Sequence, residues 1–395
     1  MHVVIIGAGP AGITTAGLIS DSNSDAKCTV VTKEDYPPYS PPLMFDHFIN
    51  GFDIFWKGIS SHKFTYSKNT SVIDVNFKSK IVTTADGNKL SYDKLIIASG
   101  ASLYAPIRGM HFSNVYNFKS LTDASILIKR ARSANSPKVV IIGAGFIGLE
   151  IALLLSKLHA KVTILERAGQ VLPSAADVKI ASKVQDFLQQ MGIRVLLNIE
   201  AKEFKGQNIA DEAVFNNGET VKADFFVTAT GIRPQIDFLR NTSIRINRGI
   251  CVDRYLRTSV DSVYAIGDCA EYSCSGDFCG SINHSFLNAI EQAQICASNV
   301  LGSNIEYNMT HKINSIKHIS VPVIIAGSMS GEKHTYSKND ELRIVYVHNN
   351  RINGFQLFNS DKSAGVLTSL MKSSREISSF IPYIASPKFN HSFTN

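Results

Sequence analysis

A chain of 395 residues exceeds one ordinary domain and predicts two or three. With 44% hydrophobic and 18% charged residues it reads as a soluble globular protein, and no run approaches the roughly 18 apolar residues of a bilayer span. Six cysteines without framework spacing exclude a secreted disulfide scaffold, and the net charge of +7, spread along the chain without a nucleic-acid motif, reads as solvated surface.

Met1-His2 lead directly into a core strand without a charged leader, so the cytoplasm is the expected location. Val3-Val4-Ile5-Ile6 then runs straight into Gly7-Ala8-Gly9-Pro10-Ala11-Gly12, followed by an Ala-rich apolar segment. That is the order of a buried parallel strand, a tight turn and the start of a helix. Gly7 permits the turn, Gly9 lets the backbone approach a pyrophosphate, and Gly12 lets the helix pack on the strand. The helix N-terminus offers unpaired N–H groups to the phosphates. A second strand, Cys28 to Thr32, leads to Glu34, 22 residues past Gly12. A carboxylate near this point accepts hydrogen bonds from a ribose; Thr32 at the strand end is the other candidate.

Four prolines (37, 38, 41 and 42) make Tyr36 to Leu43 a rigid extended loop, suited to walling a flat aromatic group. Ser71 to Leu90, with the turn signal Asp86-Gly87-Asn88, predicts a small antiparallel meander. Leu95 to Ala98 is a second buried strand, ending in Ser99-Gly100, and a helix is expected over Thr122 to Arg132.

The opening then repeats. Val139 to Gly145 is identical over seven residues to Val3 to Gly9, Gly148 completes a second GxGxxG, and the two fingerprints lie 136 residues apart. The strand Val162 to Leu165 ends at Glu166, 18 residues beyond Gly148. The repeat implies two nucleotide-binding domains, each with its own dinucleotide. Phe225 to Gly231 echoes the Leu95 to Gly100 strand, and Ile232-Arg233-Pro234 turns the chain away. Thr258 to Ala270 reads as a strand ending in Gly267-Asp268 before a helix, aiming the Asp268 carboxylate at a sugar hydroxyl, and Asn283 to Leu301 has helical spacing. From Lys312 the pattern changes to short strands at Val321 to Ala326, Leu342 to His348 and Ile352 to Phe358, then a helix over Ala364 to Glu376 and a frayed tail from Ser386. This last region reads as an interface or homodimerisation domain. Cys28 reads as core, and the C-x4-C-x4-C spacing of Cys269, Cys274 and Cys279 does not match a metal site.

Taken together, VVIIGAGPAG, the ASG after Leu95, VVIIGAGFIGLE, ATGIRP at Ala229 to Pro234 and YAIGDCAE at Tyr264 to Glu271 resemble the pyridine nucleotide-disulfide oxidoreductase superfamily over essentially the whole chain. The nearest likeness is to NAD(P)H:rubredoxin and ferredoxin reductases. The resemblance implies an α/β fold with two Rossmann-like, doubly wound, three-layer dinucleotide-binding domains plus a C-terminal α+β domain. The expected boundaries are residues 1–108 with 243–311 for an FAD domain, 109–242 for an NAD(P)H domain and 312–395 for the interface domain.

Carried over by residue, the resemblance places Gly7, Gly9, Pro10, Ala11 and Gly12 on the FAD pyrophosphate and Thr32, Lys33 or Glu34 at its ribose. Pro42, Ala98, Ser99 and Gly100 would lie along the flavin, with Gly267 and Asp268 at the ribityl chain. On the other side Gly143, Gly145, Phe146, Ile147 and Gly148 would hold the NAD pyrophosphate, with Thr230 and Gly231 beside it. Glu150 would position the nicotinamide, and Glu166, next to Arg167, would hold the adenosine ribose and favour NADH over NADPH.

Two departures from the family pattern matter. No cysteine lies between Cys28 and Cys251, so the dithiol and single-cysteine arrangements of disulfide-reducing members are missing. Pro41 stands where many rubredoxin reductases carry a basic residue. The implied activity is hydride transfer from NADH to FAD N5, followed by single-electron transfer to a small iron protein, rubredoxin or ferredoxin, towards which the positive charge also points. Hydride transfer needs no general base, so no proton-transfer residue is nominated. The alternatives are an NADH oxidase using oxygen, a redox-responsive FAD/NADH-binding module with little turnover, and a membrane quinone reductase, which would need an interfacial amphipathic helix where Ser374 to Lys388 is only mildly apolar.

Overall fold

The computed structural model describes residues 1–22, 25–57, 64–273, 280–308, 311–316 and 318–390. It divides into two compact units, one of Met1–Ser102 with Ile232–Thr310 and one of Leu103–Gly231 with His311–Asn395.

The first unit is built on a five-stranded parallel sheet. Its order is Val263–Ala265, Lys94–Ile97, His2–Ile6, Lys27–Val31 and Phe64–Ser67. The strand His2–Ile6 is paired on both sides, and Val3, Val4 and Ile5 have no exposure, which is why the run is continuously β-branched rather than alternating. Each such side chain contributes about 1.5–3 kcal/mol by leaving water. The helices Pro10–Asp21 and Phe286–Val300 pack together on this sheet. The predicted meander is present as Val72–Asn76, Ile81–Thr84 and Lys89–Ser91, all antiparallel.

The second unit repeats the plan. Its parallel sheet runs Arg194–Leu197, Lys161–Glu166, Lys138–Ile142, Phe225–Thr228 and Val115–Tyr116. The helices Leu121–Ser133, Phe146–Lys157 and Val178–Gln190 accompany it. A three-stranded antiparallel meander spans Ala201–Gly206, Ala210–Phe215 and Thr220–Lys222, again just before the strand that ends in small residues. The C-terminal residues add a five-stranded antiparallel sheet ordered Ile313–Ile316, Val323–Gly327, Arg351–Phe358, Glu341–His348 and Glu332–Lys338, covered by the helix Ala364–Ser373. The architecture is thus α/β, with two Rossmann-like folds and an α+β C-terminal portion.

Three local expectations are corrected. Pro41–Leu43 is a short 3-10 turn rather than extended loop, and it leads into the helix Met44–Asn50. Proline fits the first turn of a helix, where its missing N–H has no partner to lose. Asp268 lies within a 3-10 turn, Gly267–Cys269, followed by a strand, Ala270–Tyr272; among the described residues the next helix begins at Phe286. The tail from Ser386 is anchored rather than frayed as far as it is described, because Phe389 is fully buried. The stretch Ser374 to Lys388, only mildly apolar, holds the 3-10 turn Ile381–Tyr383 and no α-helix.

Candidate functional site

Both fingerprints form the same cradle. Gly7 has φ +108° and Gly143 φ +109°, values that a side chain would strain. A Cβ on Gly7 would stand 2.2 Å from the Ala98 carbonyl oxygen, and one on Gly143 2.4 Å from that of Ala229. Each turn is therefore pressed against the end of the neighbouring strand, at the point where the strand order reverses. A Cβ on Gly12 would sit 2.0 Å from the Gly7 oxygen, and one on Gly148 2.0 Å from the Gly143 oxygen, so helix and turn touch backbone to backbone.

Gly9 and Gly145 are the opposite case. A Cβ at either would meet nothing within 4 Å. Each is the N-cap of its helix, with no side chain capping the end and no acid in the first turn. By contrast, Ser120, Asp177 and Ser285 cap three other helices by accepting from a backbone N–H. The two fingerprint helices thus present open space and free N–H groups where a pyrophosphate would lie, and the cradles fit that group. Pro10 and Ala11 form the first turn of one helix, Phe146 and Ile147 that of the other.

The acidic residues separate by register. Ile6 pairs with Val31, and Ile142 with Leu165, so Thr32 stands in the first unit where Glu166 stands in the second. Thr32 is buried, and its Oγ1 accepts from the Glu34 N–H at 3.3 Å. Glu34 is half-buried and Lys33 exposed, in the segment that leaves the sheet; Pro42 is half-buried in the 3-10 turn. Glu166 is only 7% exposed. Its Oε2 accepts from Ala144 N–H at 2.8 Å and its Oε1 from Ala168 N–H at 2.9 Å, so the carboxylate braces the glycine turn itself. Arg167 beside it is exposed, and Glu150 is half-buried on its helix.

Around the first cradle, Ser99 follows Ala98 and donates to Gln235 O at 2.7 Å, and Gly100 has φ +71°. A Cβ on Gly267 would stand 3.1 Å from the Ala11 Cβ, which sets Asp268 next to the first helical turn. Asp268 Oδ1 lies 3.7 Å from His284 Nδ1. Gln292 was missed by sequence reasoning: its buried Oε1 accepts from the Gly267 N–H at 2.6 Å and fixes this turn. Around the second cradle, Thr230 is exposed, with its hydroxyl donating to Tyr104 O, and Gly231 has φ +153°.

The environment of every described cysteine disfavours the thiolate. Burial pushes the Cys28 thiol up to about 12 and also raises Cys269 and Cys296, while Cys251 is raised by burial and by the nearby Glu271. Cys269 Sγ donates to Ile97 O and Ile266 O inside the core. Cys274 and Cys279 lie outside the described residues. Among the described residues no cluster of His, Cys, Asp or Glu could hold a metal, and no helix is long and apolar enough to cross a membrane.

A parallel sheet bearing a glycine cradle at its carboxyl edge, built twice in one chain, defines the class: a protein with two Rossmann-like dinucleotide-binding folds. A profile of the pyridine nucleotide-disulphide oxidoreductase family matches residues 1–299, and the chain belongs to that family. The NADH oxidase of Methanocaldococcus jannaschii is 28% identical over 401 residues, covering 92% of this chain and 89% of that protein. The rubredoxin-NAD(+) reductase of Pseudomonas putida is 30% identical over 318 residues, covering 77% and 81%. Among solved structures, the covalent putidaredoxin reductase–putidaredoxin complex shares the fold with a TM-score of 0.86 at 19% identity, covering 94% of this chain and 93% of that one.

Proposed function

We propose that the protein is an FAD-dependent NADH oxidoreductase that delivers electrons to a small iron protein, rubredoxin or ferredoxin. FAD in the first cradle would supply the chemistry, accepting hydride at N5 and releasing electrons singly. The chain's own part is to seat and orient. Gly7, Gly9 and Gly12 hold the FAD pyrophosphate against the N-terminus of Pro10–Asp21, Thr32 or Glu34 holds its ribose, and Asp268 its ribityl hydroxyls. Gly143, Gly145 and Gly148 hold the NADH pyrophosphate, Glu166 the adenosine ribose, and Glu150 positions the nicotinamide. A carboxylate buried beside the turn repels a 2′-phosphate, which supports NADH over NADPH.

The observation that carries this reading is the duplicated open cradle in a chain with no cysteine between Cys28 and Cys251. Disulfide reduction requires an attacking thiolate, so electrons leave by another route. The identity with a rubredoxin-NAD(+) reductase supports the iron-protein acceptor. Oxygen is the second reading, favoured by the NADH oxidase relative that matches 92% of the chain.

An anaerobic titration of the yellow protein with NADH, then NADPH, followed by rubredoxin or ferredoxin, tests both. Bleaching by NADH and prompt recovery on adding a carrier is the expected result. Recovery with oxygen alone would leave the oxidase, and a protein that neither carries nor rebinds flavin would overturn the reading altogether.

A further inference from the structure

In the second unit, the strand Arg351–Phe358 reaches the loop that follows Glu166. Gln356, 1% exposed within the apolar run Phe355 to Phe358 of that strand, grips that loop twice: its Oε1 accepts from Asp177 N–H at 2.8 Å and its Nε2 donates to Ala175 O at 3.0 Å. The Asp177 carboxylate closes the same contact. Its Oδ2 accepts from Lys333 Nζ at 2.5 Å and from Tyr346 OH at 3.0 Å, while its Oδ1 caps the helix Val178–Gln190 through Lys179 N–H at 3.0 Å.

From this grip, hydrogen bonds run without a break to the second cradle. Ala175 N–H donates to Leu172 O at 3.0 Å, and Leu172 N–H donates to Ala144 O at 2.9 Å. Ala144 N–H in turn donates to Glu166 Oε2. Both backbone groups of Ala144, the residue between the two cradle glycines, are thus committed to this chain. Leu172 is 1% exposed and holds φ +50°, a left-handed conformation that a leucine keeps only when its surroundings over-determine it.

We infer that the C-terminal sheet is a working part of the dinucleotide site in its own unit. Asp177, Lys333, Tyr346 and Gln356 form a positioning cluster that holds Leu172, and through it Ala144 and Glu166, in the geometry that receives the ribose and pyrophosphate. This inference rests on reading the second fingerprint as the pyridine-nucleotide site. Its physical basis is pre-organisation: a cradle already held in its bound geometry loses less freedom on binding.

The test uses the full-length flavoprotein and ADP-ribose, which carries the groups in question but no reacting ring. Two variants, Gln356→Leu and Asp177→Asn, cut different bonds of the cluster, and asparagine keeps an N-cap side chain for the helix. In both, the dissociation constant for ADP-ribose by calorimetry should rise about 2- to 30-fold. KM for NADH should rise with it, more than kcat falls. Hydrogen exchange at the Leu172 and Ala144 amides should quicken while the interior of Val178–Gln190 stays protected, and flavin content and visible spectrum should not change. A wild-type protein that binds ADP-ribose, with both variants binding it equally well, overturns the cluster's role alone. Weaker binding without faster exchange at Leu172 and Ala144 overturns it too. A wild-type protein that binds no ADP-ribose overturns the assignment of the second cradle, and the inference with it.

Discussion

Gly148→Ala is the sharpest perturbation of the second cradle. The added Cβ would fall 2.0 Å from the Gly143 oxygen, whereas a carbon rests about 3.3 Å or more from a carbonyl oxygen. Gly143 cannot retreat, because its own Cα side already faces the Ala229 carbonyl, 2.4 Å from where a Cβ would be. The helix Phe146–Lys157 must therefore back away by more than about 1 Å, and with it the free N–H groups of its first turn. Overpacking of this kind costs about 1–3 kcal/mol of stability. Misplacing the bound group by about 1 Å costs on the order of 100-fold in rate. The assay is anaerobic stopped-flow bleaching of the flavin by NADH, with flavin content and thermal melting measured on the same preparation. We expect kcat/KM for NADH to fall about 100-fold while bound flavin stays at the wild-type level. The mirror variant, Gly12→Ala, meets the Gly7 oxygen at the same 2.0 Å and should instead emerge without flavin. If Gly148→Ala reacts with NADH within twofold of wild type, or sheds flavin as Gly12→Ala does, the assignment of the two cradles fails.

Other consequences can be checked alongside. Glu166→Ala strips the acceptor from the Ala144 and Ala168 N–H groups, about 1–3 kcal/mol for each left unpaired, so NADH affinity should fall while flavin is retained; equal loss of flavin would contradict the assignment. Because burial raises their thiols, Cys28, Cys269 and Cys296 should resist iodoacetamide at pH 8 in the native protein and label fully once it is unfolded; peptide mapping reads the outcome, and native labelling of any of the three refutes it. Burial alone would raise the Asp177 carboxyl, but the hydrogen bonds from Lys333, Lys179 and Tyr346 outweigh it and hold it below the usual carboxylate range. A depressed folded value means the stabilisation is fully present above the unfolded value of about 3.9 and disappears as pH falls through the folded one. The melting-temperature gap between wild type and Asp177→Asn should therefore be constant from pH 6 to 5 and narrow below about pH 4; a gap undiminished at pH 3 goes against it.

What was legible in the sequence is what local backbone physics dictates. A β-branched run buried on both faces, a glycine with positive φ and a glycine where helix and turn touch leave their mark on consecutive residues, so Val3 to Gly12 and Val139 to Gly148 could be read directly. The proline-rich stretch misled because proline is excluded from helix interiors but suited to first turns, and only the chain beyond Leu43 reveals which applies. The tail looked loose because Phe389 shows no periodicity with its polar neighbours, yet it fills a place in a core made by distant strands. The Asp177 cluster was invisible for a similar reason: its partners lie 156, 169 and 179 residues away. One clue was available, a glutamine inside the apolar run Phe355 to Phe358, since a buried amide must find hydrogen-bond partners.

The family's name carries a chemistry that this chain's residues do not support, and the reason is positional. Thiol-disulfide exchange needs a thiolate that is both formed and reachable. Positions 29 to 250 contain no cysteine, so neither the proline-rich segment of the first unit nor the whole second fingerprint carries one. The thiols that do exist near the first cradle point the wrong way: Cys269 follows Asp268 directly, yet its Sγ is turned into the core onto the Ile97 and Ile266 carbonyls. Burial of Cys28 in the parallel sheet of the first unit pushes its thiol up to about 12, which keeps it protonated at neutral pH. What the two units retain is the part of the family's equipment that seats two dinucleotides. A chain that keeps both cradles, with no cysteine from position 29 to 250 and its described thiols near the first cradle turned into the core, hands electrons to an acceptor that comes to it from outside, and the choice between an iron protein and oxygen then rests with whatever can approach the first cradle.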